Sequence, residues 1–429
     1  MRKVWTGFLV AFAAMVSLAE SDDAEKWWEH IRFLASDELR GRETGTPEHR
    51  RAAEYVAAQL EAQGLAPAGT KGFLQPVPFR VRTVQEESSS LAIVSGSGRD
   101  PVKLGDEAFF SMRIEHAPEI EAPLVFVGYG LTVPEEGHDD LEGLDLRGKV
   151  ALLFTGGPEN LSAPLLAHYQ SAGERWKFLE KAGAIGIVAI RNPRGQDIPW
   201  ERSALSRFMP AMELTDPALA EAASQKLSVT FHPDHAARLF EGSGRDYAAL
   251  LAAAQERKPL PRFPLSTSIS AKVRFESDER ESDNVVGLLR GSDPALAKEY
   301  VVLSAHLDHV GVGRPIDGDD VYNGAMDNAS GIATLIETAR ILKESGARPR
   351  RSILFVAVTG EEKGLLGSRY YASHPTVPQE AIVANLNNDM FSPLFPLKSV
   401  VVQGLDESDL ATDLKRAASS LGLEVLSDP

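Results

Sequence analysis

One histidine and one aspartate stand at the end of an apolar segment, and a second aspartate follows after a loop. Residues 300–305 form an apolar run that predicts a buried strand, and His306 and Asp308 stand where it ends. Because alternate residues of an extended backbone point the same way, these two side chains are expected to converge on one point. Asp327 follows a glycine-rich loop and precedes a predicted helix at 330–342. We therefore expect Asp327 at the same strand-end rim, where open α/β sheets bind their ligands.

Two further apolar segments also end in acidic residues. The run at 352–359 leads to Glu361 and Glu362, and the run at 381–386 leads to Asp389. Imidazole nitrogen and carboxylate oxygen together suit metal cations, and Zn²⁺ accepts both. Since neighbouring residues of an extended segment face opposite ways, Glu361 and Glu362 are expected to do different jobs. One can bind metal while the other acts as general base towards a metal-activated water.

Between about residues 301 and 391 the sequence contains four motifs in order: H-L-D, G-A-M-D-N-A-S-G, G-E-E-K-G-L-L-G-S and N-N-D-M. In this order and spacing they resemble the co-catalytic two-zinc aminopeptidases of metallopeptidase family twenty-eight. The resemblance implies an α/β fold of the zinc-exopeptidase type, with a mostly parallel central sheet flanked by helices. It also implies two zinc ions in a complete active site.

The resemblance assigns a role to each of the polar residues described above. Asp327 is implied to bridge both metals, and Glu361 is implied to be the general base. Asp308 is implied to orient His306, since an imidazole ligand usually donates its other N–H to a carboxylate. The remaining metal ligands that the resemblance implies are His306, Glu362 and Asp389.

One ligand that this family usually takes from a loop after the N-N-D-M motif has no counterpart here. The last histidine of the sequence, His374, precedes that motif. We therefore expect the chain to be truncated relative to a complete enzyme, with a weakly held second zinc and an unpaired sheet edge. Asp317 or Asp428 completing the site is the alternative. His309 is interpreted as lying outside the site, because it points opposite to Asp308 in an extended backbone.

The reaction that the resemblance implies is hydrolysis of an N-terminal peptide bond by a water that bridges two zinc ions about 3.5–4 Å apart. The substrate would be a peptide or a protein, and the choice of aminopeptidase over carboxypeptidase rests on the resemblance alone. A single-zinc enzyme similar to glutaminyl cyclase is one alternative, although it would need fewer carboxylates. A non-catalytic, receptor-like relative is another, although it predicts lost ligands and all the motif ligands are present.

Composition restricts the remaining possibilities. The chain has 429 residues, of which 43% are apolar and 25% charged, as in a soluble globular protein of two or more domains. Its formal charge of −16 argues against nucleic acid and against anionic membrane surfaces as partners. The sequence contains no cysteine, which excludes disulfides and thiol catalysis.

The chain divides into four predicted segments. Residues 1–19 have the charged start, apolar stretch and small-residue cleavage site of a signal peptide, so the mature protein is expected to be secreted or periplasmic and free of the membrane. Residues 20–119 are expected to begin the peptidase domain and 263–429 to hold its catalytic part. Residues 120–262 resemble the mainly β protease-associated domain that is often inserted in this family.

Overall fold

The structure is a computed structural model that describes residues 22–111, 113–194, 198–390, 396–405 and 408–427. The predicted signal peptide therefore lies outside the described residues. In chain order the helices are α1 (22–34), α2 (Pro47–Ala62), α3 (Ala163–Tyr169), α4 (Ala172–Lys181), α5 (Trp200–Ser203), α6 (Tyr247–Gln255), α7 (Ser330–Glu344), α8 (Leu366–Ser373) and α9 (Leu410–Ser420).

The strands are, in chain order, β1 (Ala66–Pro67), β2 (Leu74–Val84), β3 (Ser90–Ser95), β4 (Gly98–Val102), β5 (Ala108–Phe110), β6 (Glu119–Phe126), β7 (Thr132–Val133), β8 (His138–Asp139), β9 (Val150–Phe154), β10 (Gly186–Ile190), β11 (Ala211–Leu214), β12 (Leu227–Phe231), β13 (Phe263–Lys272), β14 (Phe275–Leu289), β15 (Tyr300–His306), β16 (Val312–Ile316), β17 (Asp319–Val321), β18 (Ser352–Val358), β19 (Ile382–Asn387), β20 (Ser399–Val402) and β21 (Glu424–Ser427).

The described residues form two compact units. The first unit draws on the described residues of the segments Met1–Arg80, Met212–Thr215 and Glu279–Ser392. The second draws on the described residues of Val81–Ala211, Asp216–Asp278 and Pro393–Pro429. Each unit has its own sheet and its own apolar core, as expected for a chain of this length.

The sheet of the first unit has seven strands among the described residues, in the order β11-β2-β14-β18-β15-β19 with β1 paired to β14. β15 is parallel to both β18 and β19, whereas β14 is antiparallel to β18. The sheet is therefore mixed, and its parallel part is the part that carries the motifs. The predicted α/β fold is confirmed.

Helix α7 covers one face of this sheet because its apolar residues recur at helical spacing. Ile332, Leu335, Ile336 and Ala339 are fully or almost fully buried and pack into one core with Phe355 of β18. The helix begins directly after the loop of the second motif, so its packing against the sheet fixes the position of that loop.

The three parallel strands end at one edge of the sheet. In the β-ladders His306 is paired with Val358 of β18, and Ser304 is paired with Asn387 of β19. The polar residues that follow each strand therefore emerge side by side, as predicted from the three strand ends.

The second unit has an eight-stranded mixed sheet among the described residues, in the order β4-β3-β13-β6-β9-β10-β12-β5. Its centre is parallel, from β6 to β12, and β9 is buried along its whole length, as is usual for parallel strands covered on both faces. This unit contains the 120–262 segment except Met212–Thr215, which belongs to the first unit, and also the earlier strands β3 to β5. That the segment is a protease-associated domain stays a prediction.

Within the part of the chain that the structure describes, no helix has both the length and the apolar character that crossing a bilayer requires.

Candidate metal centre

The first group of possible metal ligands consists of His306, Asp327 and Asp389, all three of which were predicted. His306 Nε2 lies 3.0 Å from Asp327 Oδ1 and 3.4 Å from Asp389 Oδ1. His306 is only 2% exposed, whereas Asp389 is 40% exposed in its side chain. Burial lowers the pKa of His306, but hydrogen bonds with the carboxylates of Asp327 and Asp389 raise it to about 11. The two carboxylates thus create a position that favours positive charge.

Asp327 is held in a turn, Ala325–Ala329, directly before α7, and the peptide bond that follows it is cis. The next residue, Asn328, is fully buried. Its side-chain Nδ2 donates to the carbonyl of Asn388 at 2.9 Å, and its Oδ1 accepts the N–H of Met390 at 3.3 Å. Asn328 therefore ties the loop of Asp327 to the main chain on both sides of Asp389.

A second group of possible ligands consists of His309, Asp327 and Glu362, whose ligand atoms all lie within 4.8 Å of one another. His309 Nδ1 is 2.6 Å from Glu362 Oε1. The prediction that His309 points away from the site is wrong. It assumed an extended backbone, but β15 ends at His306, and the alternation of side chains does not continue beyond a strand.

Asp308 is fully buried, but its carboxylate does not form the predicted hydrogen bond with His306. Its Oδ1 accepts the N–H of Glu361 at 3.0 Å, and its Oδ2 accepts the N–H of Glu362 at 3.2 Å and the hydroxyl of Thr44 at 3.0 Å. His306 Nδ1 is 3.9 Å from the carboxylate and 3.1 Å from the main-chain oxygen of Asp308. The carbonyl therefore orients the imidazole, and the carboxylate orients the two glutamates.

Glu361 and Glu362 lie in a turn rather than in an extended segment, because β18 ends at Val358 and the carbonyl of Glu361 accepts the N–H of Gly364. Their surroundings nevertheless differ. Of the two, Glu362 alone belongs to a ligand group among the described residues. Burial raises the pKa of Glu361 to about 7, helped by the negative charge of Asp308 and opposed by His306. A carboxylate that titrates near neutrality suits a general base.

Arg42 is a residue of this region whose role the sequence did not predict. Its guanidinium is fully buried, and each of its five N–H groups has a main-chain carbonyl as acceptor. The acceptors belong to Leu34, Leu307, Asn323, Gly324 and Asp327, at distances from 2.6 to 3.4 Å. One side chain thus joins the loops that carry both histidines and Asp327. Arg40, two residues earlier, is by contrast exposed.

The donor set of the site fits zinc. Each group offers one imidazole nitrogen and two carboxylates, and Asp327 belongs to both groups. Zn²⁺ accepts nitrogen and oxygen ligands in this mixture, and catalytic zinc sites usually have three protein ligands. A carboxylate shared by two three-ligand groups is also the arrangement that a pair of metal ions requires. Asp317, an alternative ligand, is exposed and belongs to neither group among the described residues, and Asp428 lies outside them.

Comparison with known proteins agrees with this geometry. Residues 284–429 match the sequence profile of Peptidase family M28. Aminopeptidase NAALADL1 of Mus musculus is 32% identical over 139 residues, which are 31% of this chain and 17% of that protein. A probable zinc metalloprotease of Pyrenophora teres f. teres is 36% identical over 106 residues, which are 25% of this chain and 22% of that protein. The chain therefore spans about a fifth of the length of these two relatives.

The fold has a counterpart among solved structures. An aminopeptidase from Aneurinibacillus sp. strain AM-1 superposes with a TM-score of 0.55 and 21% sequence identity, over 95% of this chain and 80% of that one. This likeness concerns the fold, and the sequence profile concerns the segment that carries the motifs. Together they confirm the resemblance seen in the four motifs. Over residues 284–429 this chain is similar to Peptidase family M28.

Proposed function

We propose that this chain is a zinc metallopeptidase that binds two zinc ions and removes residues from the N-terminus of peptides. One observation carries the proposal: two three-ligand groups, each with one imidazole, share the carboxylate of Asp327. The names of the mouse and Aneurinibacillus relatives support an aminopeptidase, and the name of the Pyrenophora relative supports zinc.

Different side chains of the site are proposed to have different roles in peptide hydrolysis. When bound, zinc supplies Lewis acidity, which polarises the substrate carbonyl and lowers the pKa of water. In the proposed roles, His306 and Asp389 hold one metal position, Glu362 belongs to the other, and Asp327 serves both. These residues must stay in position during the reaction. Buried hydrogen bonds to the neighbouring main chain help to hold them there.

Glu361 is proposed to move the proton. Its carboxylate takes a proton from the attacking water as the new C–O bond forms, and gives a proton to the leaving amine as the C–N bond breaks. A pKa raised to about 7 supports both steps, because the group can accept and release a proton near neutral pH. Asp308 fixes the main chain of Glu361 and so contributes to the position of this base.

The test is an activity screen with zinc-loaded and chelator-treated protein. The substrates are aminoacyl amides and short peptides, each supplied with a free and with an acetylated N-terminus. We expect zinc-dependent hydrolysis of the free substrates and little hydrolysis of the acetylated ones. Release of the C-terminal residue would contradict the aminopeptidase assignment, and cyclisation of N-terminal glutamine would favour the cyclase alternative. A zinc-loaded protein that turns over none of these substrates would overturn the proposal.

We also propose that the protein is exported, since residues 1–19 have the pattern of a signal peptide. Expression in a bacterial host should give a mature chain that begins at Glu20. Mass spectrometry of the exported protein measures this directly, and an intact N-terminus on that protein would contradict the proposal.

A further inference from the structure

We propose that helix α1 is a pH-sensitive latch, which is docked on α7 at neutral pH and is released in acid when His30 becomes protonated. The inference goes beyond the proposed function, because it concerns a contact between helices and involves none of the proposed metal ligands. Within the described helix, none of residues 22–29 is buried, and Ile31 and Leu34 are its buried apolar residues. A terminal helix with so little buried apolar surface opens easily, so its polar contacts decide whether it stays docked.

His30 lies between α2 and α7 and is only 8% exposed. Its Nδ1 is 2.7 Å from the hydroxyl of Tyr55 on α2, and its Nε2 is 3.3 Å from Oε1 of Glu337 on α7. Because an ionised carboxylate can only accept hydrogen bonds, Nε2 carries the proton of the neutral ring and the Tyr55 hydroxyl donates to Nδ1. The neutral imidazole therefore satisfies both neighbours and joins α1 to two other helices.

Protonation of His30 disrupts this arrangement. Both ring nitrogens become donors, so the hydroxyl of Tyr55 has to accept instead, and its own proton loses the acceptor. Burial lowers the pKa of His30 from the ordinary value of 6.5, and the positive charge of Arg340 acts in the same direction, whereas Glu337 and Glu29 oppose the shift. The free chain therefore binds a proton more readily than docked α1 does, and docking weakens as the pH falls below about 6.5.

The other charged groups of this contact surround Arg340. Its Nε donates to Oε2 of Glu337 at 2.8 Å, and its Nη2 donates to Asp23 of α1 at 2.7 Å. Glu344 also forms an ion pair with Arg340. The side chains of Asp23 and Glu344 are 51% and 57% exposed, so solvent screens both pairs. The pair between Asp23 and Arg340 is therefore too weak to keep α1 docked once His30 is charged.

The docked helix is also connected to the first turn of α7. Trp27 Nε1 donates to the hydroxyl of Thr334 at 3.0 Å, and this hydroxyl donates to the carbonyl of Ser330. The hydroxyl of Ser330 donates to the carbonyl of Met326, which precedes Asp327. Release of α1 removes the first bond of this chain. Transmission of the release to the peptidase site is the one consequence that rests on the proposed function.

The test is hydrogen–deuterium exchange of the full chain, read by mass spectrometry on peptides from residues 22–34. His30→Gln is the matched variant, because its amide donates to Glu337, accepts from Tyr55 and does not titrate. At pH 5 wild-type α1 should exchange about tenfold faster than α1 of His30→Gln, since each pH unit below 6.5 weakens docking by up to tenfold. At pH 7 the two should exchange alike.

Comparison at equal pH removes the intrinsic effect of pH on exchange. The control is His168→Gln, at an exposed histidine, which should behave as the wild type does. Equal exchange of α1 in the wild type and His30→Gln at pH 5 would overturn the inference and leave the proposed function untouched.

A second measurement keeps the native His30 and applies if His30→Gln does not fold. The sequence contains no cysteine, so a spin label can be attached at Ala24→Cys, an exposed position of α1. A label at Glu61→Cys, exposed on α2, is the control. Electron paramagnetic resonance should show the α1 label becoming mobile between pH 7 and pH 5 while the α2 label does not. Unchanged mobility of the α1 label, or an equal rise at both positions, overturns the inference.

Discussion

The carboxylate of Asp308 accepts the main-chain N–H of Glu361 at 3.0 Å, and in this way a fully buried acid positions the proposed general base. A second bond, from the N–H of Glu362, extends the same control to a proposed metal ligand. Hydrogen bonds to a charged group contribute about 1.5–3 kcal/mol each, so the turn that carries both glutamates depends strongly on this one carboxylate.

Asp308→Asn should therefore impair the site without touching substrate. An amide offers one oxygen acceptor, so at least one of the two N–H groups loses its partner, and we expect about 2–3 kcal/mol of lost stability. The negative charge of Asp308 also helps to raise the pKa of Glu361, so its removal should move the acid limb of kcat/KM to lower pH. Thr44→Val is the control, because it removes one donor to Asp308 and keeps the charge. An acid limb that stays in place in Asp308→Asn would argue for a purely structural role.

Glu361→Gln and Glu362→Gln form a matched pair, with the same chemical change at neighbouring positions. Glu361→Gln should retain both zinc ions and lower kcat by about 10²–10⁴-fold, because only the base is removed. Glu362→Gln should lose zinc from one position. Metal content by elemental analysis and kcat under zinc-saturating conditions distinguish the two, and equal zinc loss in both variants would contradict the separation of roles.

Arg42→Lys should destabilise the first unit by about 3–5 kcal/mol. Lysine has three donors, so at least two of the five carbonyls bound by Arg42 lose their partner inside the protein, at about 1–3 kcal/mol each. Arg40→Lys makes the same exchange at an exposed position two residues away and should change stability by less than about 0.5 kcal/mol. Denaturant unfolding of the metal-free variants gives the comparison, and equal midpoints would show that the five bonds contribute little.

The ends of the strands could be predicted because the sequence pattern that marks them is local. An apolar run followed by acidic residues marks where a buried strand reaches the rim of the sheet, and β15, β18 and β19 do end beside one another. In β14, only residues 284–289 have the apolar pattern of a buried strand. Its earlier half, from Phe275, is largely exposed and charged, so it lacks the alternating apolar pattern by which strands are recognised.

His309 and Arg42 could not be placed from the sequence because their positions depend on distant contacts. The side-chain alternation used for His309 holds only within a strand, and the backbone turns directly after His306. Arg42 meets carbonyls that lie 265 to 285 residues further along the chain. No local period encodes such a contact, and a single arginine in a polar loop is usually exposed.

Acid should destabilise the fold through His49, which is fully buried. Burial lowers its pKa to about 4, whereas the unfolded chain has the ordinary value of about 6.5. Between these values the unfolded state binds a proton that the folded state does not, so stability falls as the pH drops through this window. At pH 5 this one group should cost about 2 kcal/mol relative to pH 7. His49→Gln should lose correspondingly less stability between the two pH values in urea unfolding, and an identical loss in both proteins would contradict the assignment.

Gly324 has a φ of +62°, which belongs to the left-handed region. A Cβ at this position would meet the carbonyl oxygen of Asp327 and, at 2.6 Å, the ring of His309. Gly324→Ala should therefore cost about 1–2 kcal/mol in backbone strain and also displace the imidazole. Because the ring of His309 contacts Glu362, a proposed metal ligand, the affinity of the zinc bound by Glu362 should fall, while the other zinc should be less affected.

Gly318→Ala is the control that separates the effect of backbone strain from the effect of displacing the His309 ring. Gly318 also has a positive φ, of +93°, but a Cβ there has no heavy atom within 4 Å. The control variant should lose stability through backbone strain alone and keep both zinc affinities. Unfolding of the metal-free proteins measures the strain, and competitive zinc titration measures the displacement. Equal zinc binding by the two variants would show that contact between Gly324 and the His309 ring does not position a metal ligand.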